Sequence, residues 1–81
     1  MSKSNVIAYV TNDAGDFEAI YVNGSLYTEQ TKIPLHVLQY LAEQYQPFTS
    51  VNLEVAESWI ENEGGTYPRK LVDIPDFAFT L

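Results

Sequence analysis

Residues 17–28 of this chain are FEAIYVNGSLYT, two short runs rich in β-branched and aromatic residues on either side of Asn23-Gly24. Asn and Gly tolerate the positive φ angles that a two-residue type I′ turn requires. The stretch therefore predicts a β-hairpin that joins a strand at 17–22 to a strand at 25–28. A loop of this length also fixes the register between the two strands, and the rest of the fold is built outward from it.

The segment before the hairpin predicts a further strand. Asn5–Thr11 is rich in β-branched and aromatic residues, and it ends in a cluster of turn formers at 12–16. The three strands then form an antiparallel meander. Strand 17–22 has apolar residues at both odd and even positions, so we expect one covered sheet face and a second, partly apolar face that carries tyrosines.

A helix is predicted after the meander. Pro34 suits the first turn of a helix, where a missing N–H costs nothing. Leucines at 35, 38 and 41 follow at helical spacing, and Pro47 prevents the helix from continuing. The predicted helix has about three turns.

The next stretch, Ser50–Glu63, is ambiguous because Val51, Leu53 and Val55 alternate as they would in a strand. Helical periodicity decides the prediction, since the apolar residues occupy one arc, the glutamates lie on the opposite side, and glycines at 64–65 provide a stop. We therefore predict a second helix. The expected fold class is α+β, a three-stranded antiparallel meander followed by two helices in the order β-β-β-α-α.

The C-terminal tail ends in an alternating apolar pattern, Phe77, Phe79 and Leu81. An apolar terminus of this kind is rarely left in water, and three placements are open: an extra edge strand, a cover over the helices, or pairing with a second copy of the chain. The open edges, the tyrosine-bearing sheet face and this tail together lead us to expect a homodimer.

Length and composition suggest a single small domain over residues 1–81 in a reducing, cytoplasmic compartment. The chain has no cysteine, which excludes disulfides and thiolate zinc sites. Its apolar run Val6–Val10 is too short for a signal-peptide core or a membrane span, so no membrane association is expected.

No residue pattern indicates an active site, a metal site or a cofactor site. His36 is the only histidine, and no serine or acid is placed by the sequence to act with it. The acids around Asn12 lack the spacing of a calcium loop, and the glycines form no phosphate-binding fingerprint. We therefore expect a non-enzymatic protein without cofactor or metal.

Charge gives the strongest indication of a partner. The net charge is -7, and no basic residue lies between Lys32 and Arg69, so direct nucleic-acid binding is not expected. On the predicted second helix, an acidic stripe runs along one side, which is either an ordinary solvated face or a surface for a basic protein. The predicted partner-binding residues are this stripe and two tyrosines as apolar anchors: Glu54, Glu57, Glu61, Glu63, Tyr21 and Tyr27.

The leading hypothesis is an acidic protein-interaction module that inhibits or regulates a basic, nucleic-acid-handling protein. In size and charge the chain resembles the small acidic antagonists that phages and mobile elements use against such enzymes. The alternative is a small-ligand binder or sponge with a tyrosine-lined pocket, within one chain or across a dimer interface.

Overall fold

The computed structural model describes residues 4–80, which form a mixed four-stranded sheet with strand order β3-β2-β1-β4. Both predicted antiparallel pairs are present, and a fourth strand lies parallel to β1. The elements are β1 Asn5–Asn12, β2 Glu18–Val22, β3 Ser25–Gln30, α1 Leu35–Gln44, β4 Phe48–Val55 and α2 Glu57–Asn62, followed by two short 3₁₀ turns at Leu71–Asp73 and Asp76–Ala78.

The central hairpin forms at the predicted turn. Asn23 and Gly24 have φ angles of 51° and 84°, both in the left-handed region. Tyr21 pairs with Leu26, but the register then shifts, so that Ile20 pairs with Thr28. The shift is a β-bulge, in which one extra residue of β3 faces β2.

The prediction of a second helix is wrong over residues 50–55, and the predicted order β-β-β-α-α is therefore wrong as well. This part of the chain belongs to β4, where Leu53 pairs with Val10 and Val55 with Asn12. The strand pattern prevails because Val55 enters the core in this conformation while the edge of β1 gains backbone partners. Only the short helix α2 remains, starting at Glu57. The α+β class itself is confirmed.

Both faces of the sheet are covered, which corrects the expectation of one open face. On the first face, Ile7 and Ile20 pack with Leu41 of α1. On the second face, Val10 and Tyr21 pack with residues of α2 and the C-terminal tail. The apolar residues on both faces of β2 are therefore explained by two separate cores.

The tail supplies the second cover by crossing the sheet from one edge to the other. At the β3 edge, the N–H of Leu26 donates to the carbonyl of Arg69 at 2.8 Å. At the β4 edge, the N–H of Thr80 donates to the carbonyl of Glu54, also at 2.8 Å. The tail thus covers the second face of the sheet within its own chain, and not the helices, as one of the three open placements had it. The predicted role of Leu81 lies outside the described residues.

Within residues 4–80, neither helix has the length and apolar character that a membrane-spanning helix needs.

Candidate partner-binding surface

The turn between β1 and β2 is organised by one buried amide. The side chain of Asn12 is 4% exposed. Its Oδ1 accepts hydrogen bonds from the backbone N–H groups of Asp16 at 3.0 Å and Phe17 at 3.2 Å, while its Nδ2 donates to the Asp16 carboxylate at 2.8 Å. Asn12 therefore satisfies the polar groups of the turn and holds the Asp16 carboxylate in place.

The same turn is tied to the start of α2. The N–H of Asp13 donates to the carbonyl of Val55 at 2.8 Å, and the Asp13 carboxylate accepts the N–H of Glu57 at 2.9 Å. The N-cap residue of α2 is Ala56, whose side chain cannot accept a hydrogen bond. Asp13 thus caps this helix from another element.

Four carboxylates converge where the carboxyl ends of β1 and β4 meet, and we call them the acidic cluster: Asp13, Asp16, Glu57 and Glu61. Partial desolvation of Glu57 raises the pKa of its carboxyl group, and the negative charges of the other three members raise it further. The contribution of the three neighbouring charges, which adds to the desolvation, indicates that the four carboxylates lie near one another at this end of the sheet.

The acidic stripe predicted for one helix is divided between elements. Glu54 lies in β4, and its carboxylate accepts a hydrogen bond from the Thr80 hydroxyl, so it helps to hold the tail. Glu57 and Glu61 are on α2, one turn apart, and Glu63 is the exposed C-cap residue that follows this helix. The structure brings two of the four predicted glutamates into the acidic cluster.

Asp13 and Asp16 are the members that sequence reasoning missed. They lie more than forty residues before Glu57 in the chain, and the turn formers around them indicated only a turn. The missing signal is the parallel pairing of β1 with β4, because parallel strands place their carboxyl ends at the same edge of a sheet. The strand-like alternation at 51–55 was the available indication.

The two predicted tyrosine anchors have different environments. Tyr21 is 0% exposed, and its hydroxyl donates to the carbonyl of Pro68 at 2.6 Å, so it is a core residue with no surface to offer a partner. Burial is the main cause that raises the pKa of Tyr21, and nearby negative charges add to it. Tyr27, on β3, is 46% exposed and remains available.

A shallow cleft of about 450 Å³ lies beside Tyr27. Its walls include Glu29 of β3 and Thr66, Tyr67 and Arg69 of the segment after α2. Tyr67 is buried. Its hydroxyl donates a hydrogen bond to the carbonyl of Phe17, and its backbone N–H donates to the Glu29 carboxylate. The cleft therefore presents one exposed tyrosine, one cation and one carboxylate that is already bonded.

A second groove, of about 330 Å³, lies between α1 and β4 on the first face of the sheet. Its floor is formed by Ile7 and Tyr9 of β1, and Leu38, Ala42 and Phe48 form its sides. Burial and a hydrogen bond with Glu18 raise the pKa of Tyr9 to about 12. The groove is apolar and opens toward the outer edge of β4.

Within residues 4–80, no group of three or more His, Asp or Glu residues has the geometry of a metal site. His36 is exposed on α1 and lies beside Gln39, Tyr40 and Glu43 in a shallow depression.

Comparison with known proteins returned no match to a protein-family model, to a curated protein or to a solved structure.

Proposed function

We propose that this protein is a non-enzymatic interaction module that binds a basic protein surface through its acidic cluster and thereby inhibits or regulates a nucleic-acid-handling partner. The observation that carries the proposal is that Asp13 and Asp16 lie near enough to Glu57 and Glu61 for their charges to add to the desolvation that raises the pKa of Glu57. Like charges held together in this way gain more from a cationic partner than isolated surface acids do.

The cluster is also preorganised. Asp13 is held by the N–H of Glu57, and Asp16 is held by the amide of Asn12. Carboxylates that are already fixed lose little conformational freedom when arginine or lysine side chains meet them. A partner with a basic surface would therefore relieve the repulsion among the four carboxylates. The entropy cost of ordering these carboxylates on binding would be small.

The charge of the whole chain supports the same class of partner. A net charge of -7 steers the protein toward basic surfaces and away from nucleic acid. Proteins that handle nucleic acid have such basic surfaces, which favours them as partners over acidic or neutral proteins. The module would then cover the surface with which the partner binds the phosphates of nucleic acid. We place this interaction in the cytoplasm.

The cleft beside Tyr27 favours a second candidate function, the binding of a small ligand. It combines an exposed aromatic ring with the Arg69 guanidinium, a pair suited to a small aromatic or anionic molecule. Tyr27→Ala would abolish a ligand-dependent rise in melting temperature if this function holds, while it would leave binding through the acidic cluster unchanged.

The proposal is tested with a Glu57→Gln, Glu61→Gln variant against a control that removes the same charge away from α2, Glu43→Gln, Asp73→Asn. The partner captured from a lysate of the host is purified, and its affinity is measured at low salt. We expect the cluster variant to bind about tenfold more weakly than the parent and the control to bind nearly as well. Equal affinities for both variants, or binding that does not weaken with salt, would contradict the proposal.

A further inference from the structure

The outer edge of β4 is an open template for strand pairing. Asp13 donates its N–H to the carbonyl of Val55 on the β1 side of β4, whereas Thr80 donates to the carbonyl of Glu54 on the other side. Because successive residues of a strand direct their N–H and C=O groups to opposite sides, Phe48, Ser50 and Asn52 present theirs outward like Glu54. No strand within residues 4–80 pairs with this side of β4.

The two edge strands of the sheet, β3 and β4, differ in how far they are protected from pairing with another chain. The β3 edge has a bulge, carries Glu29, and is bridged at Ser25 by Lys70 of the tail. The part of the chain that the structure describes bridges the β4 edge near its end alone, where Phe79 pairs with Val55. Residues 48–53 have neither a charge nor a proline, the devices that usually protect an edge from pairing with another chain.

We propose that β4 is a dimerisation edge, where a second copy of this chain adds its own β4 in antiparallel orientation about a two-fold axis at Ser50. With the axis at this position, Ser50 faces Ser50 of the other copy and Phe48 faces Asn52, so all three outward residues that residues 4–80 leave unpaired are used. An axis at Val51 would instead oppose Phe48 to Glu54, whose carbonyl already accepts the N–H of Thr80.

Charge also favours a second copy in this register. The chain carries a net charge of -7, so two copies can meet closely only where neither presents a carboxylate. In the register centred on Ser50, the paired stretch ends at Phe48 and Asn52, so Glu54 keeps its contact with Thr80 and takes no part in the pairing. The uncharged stretch of the edge thus faces itself, and no pair of acids is opposed across the two strands.

Side chains on the α1 face add a packing contribution. Phe48 is 38% exposed and forms a side of the groove between α1 and β4, where Asn52 also lies. The two-fold axis is perpendicular to the sheet, so the same faces of the two sheets are continuous. Phe48 of one copy then lies beside Asn52 of the other, at the open side of the groove, and the apolar surface of both copies is covered.

The first experiment measures the dissociation constant of the dimer by sedimentation for the parent and for Ser50→Lys. The control is Gln39→Lys, which makes the same charge change on the exposed surface of α1. Ser50→Lys should raise the dissociation constant at least about tenfold, because two lysines would face each other at the axis, although it lowers the net negative charge. Gln39→Lys should leave association unchanged or slightly stronger. Equal effects of the two variants would overturn the proposal, as would a parent that stays monomeric at about 0.15 M and about 0.5 M salt.

Mixing provides the test of the register. Ser50→Lys and Ser50→Glu chains should each associate with themselves at least about tenfold more weakly than the parent, and they should form a heterodimer when combined, since opposite charges then face each other. Failure of the mixture to associate would place the axis elsewhere and overturn the proposal.

Hydrogen exchange on the parent needs no substitution. The amides of Ser50 and Asn52 should become protected as the concentration rises, while those of Thr49 and Val51, which face β1, are protected throughout. Exchange at Ser50 that does not depend on concentration would overturn the proposal. Dimerisation through β4 does not depend on the acidic cluster, so a Glu57→Gln, Glu61→Gln variant should dimerise like the parent. If β4 instead binds an extended segment of another protein, the amide of Ser50 would be protected only when that protein is present.

Discussion

The Asp13 carboxylate accepts a hydrogen bond of 2.9 Å from the N–H of Glu57, which joins the turn after β1 to the first residue of α2. The contact keeps two acids close together although their charges repel. The hydrogen bond therefore stabilises the fold while the charge repulsion destabilises it, and substitutions at Asp13 can separate these two effects.

Asp13→Asn and Asp13→Ala are the pair that separates these effects. The asparagine retains an oxygen that can cap α2 and removes one charge from the acidic cluster, so we expect stability equal to or above that of the parent. The alanine removes the cap as well and should be less stable than the asparagine variant by about 0.5–1 kcal/mol. Urea unfolding at neutral pH measures the difference. If the two variants are equally stable, the hydrogen bond does not contribute.

The raised pKa of Glu57 predicts a pH dependence with a definite sign. An acid whose pKa is higher in the folded state binds protons more tightly there, so its effect on stability is unfavourable once it ionises. The penalty should grow as pH rises from about 4 through the raised pKa. In Glu57→Gln this part of the pH dependence should be absent, while Glu43→Gln should retain it. Unfolding curves between pH 4 and pH 7 provide the measurement, and identical profiles for the two variants would contradict the prediction.

Tyr21→Phe removes the hydroxyl that donates to the carbonyl of Pro68 and leaves the ring in the core. The loss of this hydrogen bond, with the carbonyl left without its donor, should cost about 1–2 kcal/mol. Because burial raises the pKa of Tyr21, the parent should also lose stability as pH rises above about 10, the usual value for tyrosine. Denaturant unfolding at pH 7 and pH 11 tests both statements. Tyr27→Phe is the control on the exposed side, for which no change at pH 7 is expected.

Phe77 and Phe79 form a matched pair in the tail. Phe77 is 80% exposed, whereas Phe79 packs against the core on the second sheet face and pairs with Val55. Phe79→Ala should therefore cost about 2–4 kcal/mol, and Phe77→Ala should change stability by less than about 0.5 kcal/mol. Thermal unfolding of the two variants gives the comparison. Equal costs would show that the tail does not hold its position over the sheet.

Trp59 lies at the border of the core, half-buried against the residues of the second face. Trp59→Ala should cost about 2–3 kcal/mol, less than the loss of a fully buried tryptophan. Its fluorescence should be quenched by acrylamide to an intermediate degree. Quenching as rapid as that of free indole would place the ring on the surface.

The sequence alone was sufficient for the turn of the hairpin and for α1, but not for the bulge that shifts the register of β3 against β2. Asn23-Gly24 determines a tight turn because few other residue pairs accept two positive φ angles, and Pro34 and Pro47 bound the helix. These are local constraints on the backbone, so they do not require knowledge of what packs against them. The net charge and the class of partner it excludes are equally independent of the fold.

Tertiary structure decided what residues 48–55 become and where the acids meet. Val51, Leu53 and Val55 suit a strand and a helix alike, and the strand forms because β1 offers an unpaired parallel edge from a distant part of the chain. That pairing joins Asp13 and Asp16 to Glu57, and the tail then closes the second face by bonding to both sheet edges. Contacts between residues far apart in sequence depend on which surfaces remain free after the local elements form, so only the folded chain determines them.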